Sequence, residues 1–171
     1  MKVLWLTNHI FPEHAALLGK QPSPIGGWMP ALADSLIETE QIELGIATNV
    51  TGWQWSQDIV NGKKYFSIPF SLRNGNYRNL PSSLIKDYQR AVAVFNPDII
   101  HVHGTEYFHG LITGLKYIEC PTVVSIQGII DASKAYYYGG LSLKELIKSR
   151  TLRDWIKFNG LIEQKVEWEH R

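Results

Sequence analysis

Residues 96–115 read NPDIIHVHGTEYFHGLITGL, and this stretch decides the fold. Its segment 98–103 is short and almost wholly apolar, which is typical of a strand buried on both faces of a parallel sheet. A glycine ends that strand, and a helical pattern opens at Thr105. In open α/β sheets, ligands bind at the carboxyl ends of strands, where such strand-to-helix turns gather. We therefore expect three polar side chains near a functional site: His103, Glu106 and His109.

The rest of the chain alternates between strand and helix patterns. Further strands are predicted at residues 2–7, 43–48, 63–69 and 121–127. Helices are predicted from Trp28 and from Pro81 and over residues 141–171, with loops at 8–25 and 51–61. Strands joined by helical crossovers form a doubly wound sheet. The predicted fold class is therefore α/β: a single, Rossmann-like, doubly wound domain with a mostly parallel sheet and helices on both faces.

The overall composition limits the kind of protein. The 171 residues carry a formal net charge of +1, so no overall field attracts nucleic acid, and no such partner is predicted. Cys120 is the single cysteine, which excludes an internal disulfide framework and fits a reducing compartment. The N-terminal apolar run is far shorter than the roughly 20 residues that a membrane span needs. We predict a cytoplasmic protein.

Gly26 and Gly27 stand directly before the helical pattern that starts at Trp28. Glycines at that point let backbone N–H groups approach an anion, and the helix dipole favours negative charge there. Neither GxGxxG nor a P-loop is present, so no dinucleotide or triphosphate fingerprint supports the site. The pair predicts either a phosphate-binding turn or a flexible turn without a ligand.

His101 and His103 project to the same side of the predicted strand, because side chains alternate along a strand. This geometry can ligate a metal, but no further ligand stands at a recognisable spacing, so no metal site is predicted. His101 lies deeper in the strand and is expected to be a hydrogen-bonded core residue. His103 lies at the strand end, where it either contacts a ligand or completes the core.

The fifth predicted strand ends with Gln127 and Gly128. An amide both donates and accepts hydrogen bonds, which suits sugar hydroxyls, although it can equally close a network at the strand end. No G-x-S-x-G motif occurs, so nothing supports a hydrolase. Trp53, Trp55 and Tyr65 could form a stacking platform for a sugar ring, or they could simply pack together.

Residues 134–157 combine apolar positions at helical spacing with an excess of cations. The cations are Lys134, Lys144, Lys148, Arg150, Arg153 and Lys157, against the acids Glu145 and Asp154. A helix of this kind can lie on an anionic membrane surface, and it can also be a core helix with a solvated basic face. Peripheral contact with the inner membrane surface is therefore one expectation for this segment.

Four segments together carry a family resemblance. They read KVLWLTNHIFP at 2–12, IGGWMPALADSL at 25–36, NPDIIHVHGTEYFHGLITGL at 96–115 and PTVVSIQGII at 121–130. In order and at comparable spacing, they are similar to the N-terminal half of retaining glycosyltransferases of the GT-B fold. That family 4-like group includes sucrose synthases and bacterial polysaccharide and lipid-linked sugar transferases. The resemblance covers nearly the whole chain.

The resemblance implies a domain organisation and an activity. Residues 1–171 would be the N-terminal, acceptor-side domain of a two-domain enzyme, with the C-terminal, donor-binding domain outside this chain. The whole enzyme, a hexosyltransferase, would move a sugar from a nucleotide-diphosphate sugar to a hydroxyl of a polysaccharide or lipid-linked glycan, with retention. The resemblance implies no cofactor beyond that donor, no metal, and no activity for this domain alone.

The resemblance also implies roles for particular residues, although none is assigned to catalysis. Gly26 and Gly27 would approach the donor phosphates, while Gln127 and Gly128 would contact the transferred sugar. Many family members carry a histidine where this chain has Gln127, and an amide cannot titrate near neutrality, so acid–base chemistry there is not expected. Three residues would face the acceptor: His103, Glu106 and Tyr107.

Two other classes stay open from the residues alone. One is a freestanding α/β module that binds a sugar or a nucleotide without catalysis. The other is a Rossmann-like epimerase that acts on nucleotide sugars. The epimerase is disfavoured because the loop after the first strand has no GxGxxG and no acid closes the second strand.

Overall fold

The computed structural model describes residues 1–24, 26–70, 80–105, 107–126, 132 and 135–169. It confirms the α/β fold and the mostly parallel sheet. Within this fold the chain divides into two compact units, Met1–Ile126 and Gln127–Arg171. All the strands described lie in the first unit.

The strands are Lys2–Thr7 (β1), Glu43–Val50 (β2), Ser56–Val60 (β3), Lys63–Pro69 (β4), Ile99–His103 (β5) and Thr122–Ser125 (β6). They form one six-stranded sheet in the order β3-β4-β2-β1-β5-β6. β3 pairs antiparallel with β4, and the other neighbouring pairs are parallel. The parallel strands therefore follow the 3-2-1-4-5 order of a Rossmann fold, in which the winding reverses between β1 and β5.

The helices of the first unit are Pro12–Leu17 (α1), Trp28–Glu38 (α2), Ser82–Phe95 (α3), the 3-10 helix Phe108–Gly110, and Leu111–Gly114 (α4). The second unit contains Leu143–Lys148 (α5), Leu152–Lys157 (α6) and Leu161–Glu169 (α7). Residues 141–171, predicted as helical, thus contain three separate helices. Among the residues described, no helix combines the length and the apolar character that crossing a bilayer requires.

β1 is almost entirely apolar because helices cover both faces of the sheet. Leu4 packs in a core that includes Phe95 of α3. Trp5, one residue further on, packs in a second core with Met29 of α2. Since neighbouring residues of a strand point to opposite faces, the predicted double-sided packing is confirmed. Burial of one such side chain contributes about 1.5–3 kcal/mol to folding.

The loop predicted for residues 8–25 is wrong over Pro12–Leu17, where the chain forms α1. Prolines suggest a break, but Pro12 occupies the start of this helix, where its missing N–H costs no hydrogen bond. Phe11, the N-cap residue, is buried in the core that contains Met29. Burial of Phe11 in the core therefore stabilises a helix that the local sequence pattern does not predict.

The loop predicted for residues 51–61 is also wrong in part, because it contains the edge strand β3. Asn61 and Gly62 both have positive φ, 49° and 75°, as a two-residue type I′ hairpin turn requires. The turn residues are visible in the sequence, but the strand before them is polar. β3 buries none of its five side chains, so its sequence lacks the alternation of a half-buried strand.

The helix predicted to open at Thr105 begins later. Thr105 forms a bend, Glu106 lies outside the described residues, and the 3-10 turn starts at Phe108. Gly104, Thr105 and Tyr107, which follow β5, therefore belong to no helix.

Candidate functional site

The candidate site lies where the strand order reverses, at the carboxyl ends of β1 and β5. Leu6 of β1 pairs with Val102 of β5, so Thr7 and His103 end their strands side by side. The segments that follow β1 and β5 lead away to different parts of the sheet. In doubly wound folds this divergence opens a crevice. The site is therefore placed by topology before any side chain is considered.

Gly26 is a glycine because His9 leaves no room for a side chain. Its φ is +79°, a left-handed conformation, and a Cβ would lie 2.9 Å from the Cε1 and Nε2 atoms of the His9 ring. The His9 N–H donates to Thr7 Oγ1 at 3.1 Å, and the Gly26 carbonyl accepts from Met29 N–H at 2.9 Å. The turn before α2 is thus packed directly against the residues that follow β1.

Gly27 has no such constraint. It is the N-cap of α2 with φ −58°, and a Cβ placed on it would meet nothing within 4 Å. The first turn of α2 carries no acid, and no side chain caps it. Unpaired N–H groups at a helix start carry partial positive charge and attract anions. Met29 N–H is already bonded to the Gly26 carbonyl and Pro30 has no N–H, so the N–H groups of Gly27 and Trp28 are the donors that the start of α2 can offer an anion.

His103 is buried beneath this turn, with only 2% of its surface exposed. Its ring lies 4.3 Å from that of Trp5 and 5.7 Å from that of Trp28, measured between centroids. Neither ring nitrogen has a hydrogen-bond partner among the residues described. Burial, reinforced by the neighbouring His101, His109 and His9, lowers the pKa of His103 to about 3. The imidazole is neutral at physiological pH.

His101 and His109 are held by hydrogen bonds. His101 Nε2 lies 2.7 Å from Ser125 Oγ, which confirms the expectation of a hydrogen-bonded residue and joins β5 to β6. His109 Nε2–H donates to the carbonyl oxygen of His103 at 3.2 Å. Burial lowers the pKa of His109 to about 4, with the hydrogen bond to His103 acting in the opposite direction. No group of three or more metal-ligating side chains is found in the described part of the chain.

The structure brings some of the predicted site residues together. Gly27 is followed by Trp28, whose ring contacts His103, so the start of α2 and the tip of β5 share one edge of the sheet. Tyr107 stacks at 6.2 Å, with an interplanar angle of 19°, on His109, which is bonded to His103. Glu106, Gln127 and Gly128 lie outside the described residues. His103 is covered by aromatic rings and does not form an exposed rim.

The aromatic platform suggested by the sequence is not formed. Tyr65 is buried in the core beside α2, whereas Trp55 packs against the core beside α3. Trp55 lies under the Arg90 guanidinium at 3.6 Å, and Trp53 lies 5.6 Å from Lys20. Since Tyr65 and Trp55 are on opposite faces of the sheet, they cannot bind one ligand together.

A buried charge network beside the site was missed by the sequence analysis. Lys63 Nζ is almost fully buried and lies 2.5 Å from Glu13 Oε1 of α1; it also pairs with Asp34 of α2. The Tyr65 hydroxyl donates to Glu13 at 2.6 Å. The network ties α1 and α2 to β4, and so fixes both helices that border the glycine turn.

The network stays charged at neutral pH. Burial alone would lower the pKa of Lys63, but hydrogen bonds to Asp34 and Glu13 outweigh burial and raise it. Burial would likewise raise the pKa of Glu13, but Lys63 and Tyr65 hold it below its usual value. No pattern in a single sequence pairs residues so far apart, which is why the sequence did not reveal this network.

This chain is similar to parts of solved structures. A sucrose-phosphate synthase from Thermosynechococcus elongatus matches 99% of this chain with a TM-score of 0.54 and 9% sequence identity; the chain spans 39% of that protein. A second solved structure is described as "Trehalose-6-phosphate from E. coli bound with UDP-2-fluoro glucose". The match covers 74% of this chain and 33% of that protein, with a TM-score of 0.38 and 13% sequence identity. No protein-family model matches the sequence. No curated protein is similar enough to count as a match.

At these identities the first likeness establishes the fold, and the second is too distant to carry an argument. The fold of this chain is thus one that a sucrose-phosphate synthase uses over about two fifths of its length.

Proposed function

We propose that this chain is the acceptor-side, Rossmann-like part of a glycosyltransferase. The intact enzyme would transfer a hexosyl group from a nucleotide-diphosphate sugar to a hydroxyl of a glycan or lipid-linked acceptor, with retention at the anomeric carbon. The likeness in fold to a sucrose-phosphate synthase supports the class. Because the chain spans 39% of that protein, donor binding and turnover are assigned to the complete enzyme with a second, donor-binding domain.

The observation that carries the proposal is the start of α2. In the reaction, the bond between the anomeric carbon and the phosphate oxygen breaks as the acceptor oxygen attaches. The leaving diphosphate gains negative charge and takes up the proton that the acceptor hydroxyl loses. A Cβ on Gly27 would enter open space, and the N–H groups of Gly27 and Trp28 at the start of α2 suit that charge. Donors fixed in advance where charge develops are a large source of catalysis. Gly26, held against His9, keeps the turn in place.

We assign acceptor contacts to His103 and Tyr107, together with Glu106, and sugar contacts to Gln127 and Gly128. Buried polar atoms without partners call for an explanation, and a hydroxyl reaching the His103 ring would satisfy one of its nitrogens. Trp28 lies over that ring, so its half-exposed side chain would turn aside when the acceptor binds. With a pKa of about 3, His103 is too weak a base to take the acceptor proton, and its role is to hold the hydroxyl.

The test is Gly27→Val in the complete enzyme, because a Cβ at Gly27 meets no protein atom and folding should survive. We expect turnover to fall roughly a hundredfold, the usual effect of disturbing such a donor site, as the side chain keeps the phosphate away. Gly114→Val is the matched control, since Gly114 is also unobstructed and lies at the end of α4. It should turn over normally.

The melting temperature of both variants should stay close to that of the wild type. A folded Gly27→Val enzyme with unchanged turnover would remove the phosphate role. A wild-type protein that binds the nucleotide sugar but never transfers the sugar would favour the binding module over the enzyme.

A further inference from the structure

Helix α6 exposes its apolar face. Leu152, Trp155 and Ile156 stand at positions i, i+3 and i+4, which fall on one side of a helix. They are 77%, 50% and 70% exposed, and α6 buries none of its residues. A helix of six residues is not stable by propensity alone and normally gains its stability from packing of that face. This face of α6 is therefore open to another surface.

Helix α5 repeats the pattern of α6 nine residues earlier. Residues 142–148 read SLKELIK and residues 151–157 read TLRDWIK. Each begins with a hydroxyl residue that caps the helix, followed by leucine, a cation, an acid, a large apolar residue, isoleucine and lysine. α5 buries Leu146 but leaves Leu143 and Ile147 exposed. The same amphipathic unit thus occurs twice, with apolar side chains toward solvent both times.

The charge on these helices is unbalanced. Residues 141–158 contain five lysines and arginines and two acids, a net charge of +3, whereas the whole chain carries +1. Both acids are engaged in capping: Glu145 accepts from the N–H of Ser142 at 2.8 Å and Asp154 from the N–H of Thr151 at 2.8 Å. The cations of α5 and α6 form no ion pair with any other described residue: Lys144, Lys148, Arg153 and Lys157.

Trp155 is held in place from inside its own unit. The guanidinium of Arg150 stacks over its ring at 4.1 Å, and Arg150 is paired with Glu163 of α7. Half of the indole remains exposed. An indole with an apolar body and a polar N–H is well suited to the boundary between lipid chains and headgroups. Phe158, which follows α6, is also exposed.

We propose that α5 and α6 dock on an anionic lipid membrane, with the exposed leucine, isoleucine and tryptophan side chains at the acyl boundary and the lysines and Arg153 on lipid phosphates. Apolar faces bordered by cations are the signature of helices that lie in the membrane interface. On α6, Arg153 and Lys157 lie along one edge of the apolar face and Asp154 on the far side. A purely apolar partner would leave these cations unmatched. This inference does not depend on the proposed transferase activity.

Flotation of the full chain with phosphatidylcholine vesicles, with and without phosphatidylglycerol, tests the proposal. We expect binding to vesicles that contain phosphatidylglycerol and little binding to neutral ones. Each surface cation contributes about fivefold to binding, so the double variant Arg153→Gln/Lys157→Gln should bind roughly 30-fold more weakly. The matched control is Lys86→Gln/Lys116→Gln, which removes two exposed cations of the first unit and should bind like the wild type.

Ile156→Gln tests the apolar part, and Ile59→Gln, at a site that is 74% exposed, is its control. We expect only Ile156→Gln to weaken binding, since neither substitution removes buried packing. Equal binding to neutral and anionic vesicles, or equal binding by the Arg153/Lys157 double variant and its control, would overturn the proposal. So would a lipid-free dimer that Ile156→Gln dissociates while vesicles bind nothing, because a second copy of the chain would then cover this face.

Discussion

Gly26 and Gly27 are neighbours, but the fold requires glycine only at position 26. Gly26 has a left-handed φ and no space for a Cβ beside His9, whereas Gly27 has an ordinary φ and open space in front of it. The first is required by the fold. Nothing in the described structure forces the second, and the ligand-binding role is assigned to it for that reason.

Substitution of Gly26 should therefore destabilise the protein more than substitution of another left-handed glycine. In Gly19→Ala the only strain is that of an alanine in a left-handed backbone conformation, since a Cβ there meets nothing within 4 Å. This substitution should lower the free energy of unfolding by about 1–2 kcal/mol. Gly26→Ala carries the same strain and also displaces His9, so its cost should be larger by about 1 kcal/mol or more. Urea unfolding measures both, and equal costs would show that the His9 contact is unimportant.

The buried histidines should make stability depend on pH. The pKa values of His103 and His109 in the folded protein are about 3 and about 4, below the unfolded value of about 6.5. The unfolded chain therefore binds protons first as the pH falls, so their stabilising contribution is complete above about pH 6.5 and declines below it. As the pH falls between the unfolded and folded pKa values of a histidine, that histidine should lower the free energy of unfolding by about 1.4 kcal/mol per pH unit.

Comparison with His109→Gln isolates one of these groups. Glutamine retains a donor for the His103 carbonyl but does not titrate. The free energy of unfolding of the variant should fall less steeply than that of the wild type between pH 6 and 4.5, by up to about 1.4 kcal/mol per unit. Parallel curves would show that His109 does not stay neutral in the folded protein.

At the scale of elements, the charge network centred on Lys63 holds α1 and α2 on β4. Lys63→Met should cost about 3–5 kcal/mol, because it leaves the mostly buried Glu13 without its cation. Asp34→Asn should cost at most about 1 kcal/mol, since Asp34 is 56% exposed and solvent screens it. Thermal or urea denaturation gives both values. A larger loss for Asp34→Asn than for Lys63→Met would contradict this account of the network.

The sequence predicted the buried elements well and the exposed or polar ones poorly. β1 and β5 are apolar runs because both of their faces are covered, and that pattern is local enough to recognise. α1 and β3 were missed, since α1 depends on the burial of Phe11 and β3 on pairing with β4. The repeated pattern of α5 and α6 is local too, but apolar residues at helical spacing fit a buried face as well as an exposed one, so the pattern alone does not predict the exposure.

At the scale of the whole molecule, topology made part of the site predictable. Parallel strands bring their carboxyl ends to one edge, so the glycine pair and the tip of β5 had to be close, and they are. Topology does not predict how deeply a side chain is buried. Trp28 and Trp5 cover His103, and the burial of a side chain at a strand end depends on residues distant in sequence.

The central claim is that the start of α2 at Gly26 and Gly27 binds phosphate. Backbone amide NMR of the full chain during titration with pyrophosphate tests it most directly. We predict that the amide signals of Gly27 and Trp28 shift together and saturate, and that Gly27→Val abolishes the shifts while the remaining spectrum stays folded. Signals that stay fixed at α2, or that move only among the basic residues of α5 and α6, would contradict the claim.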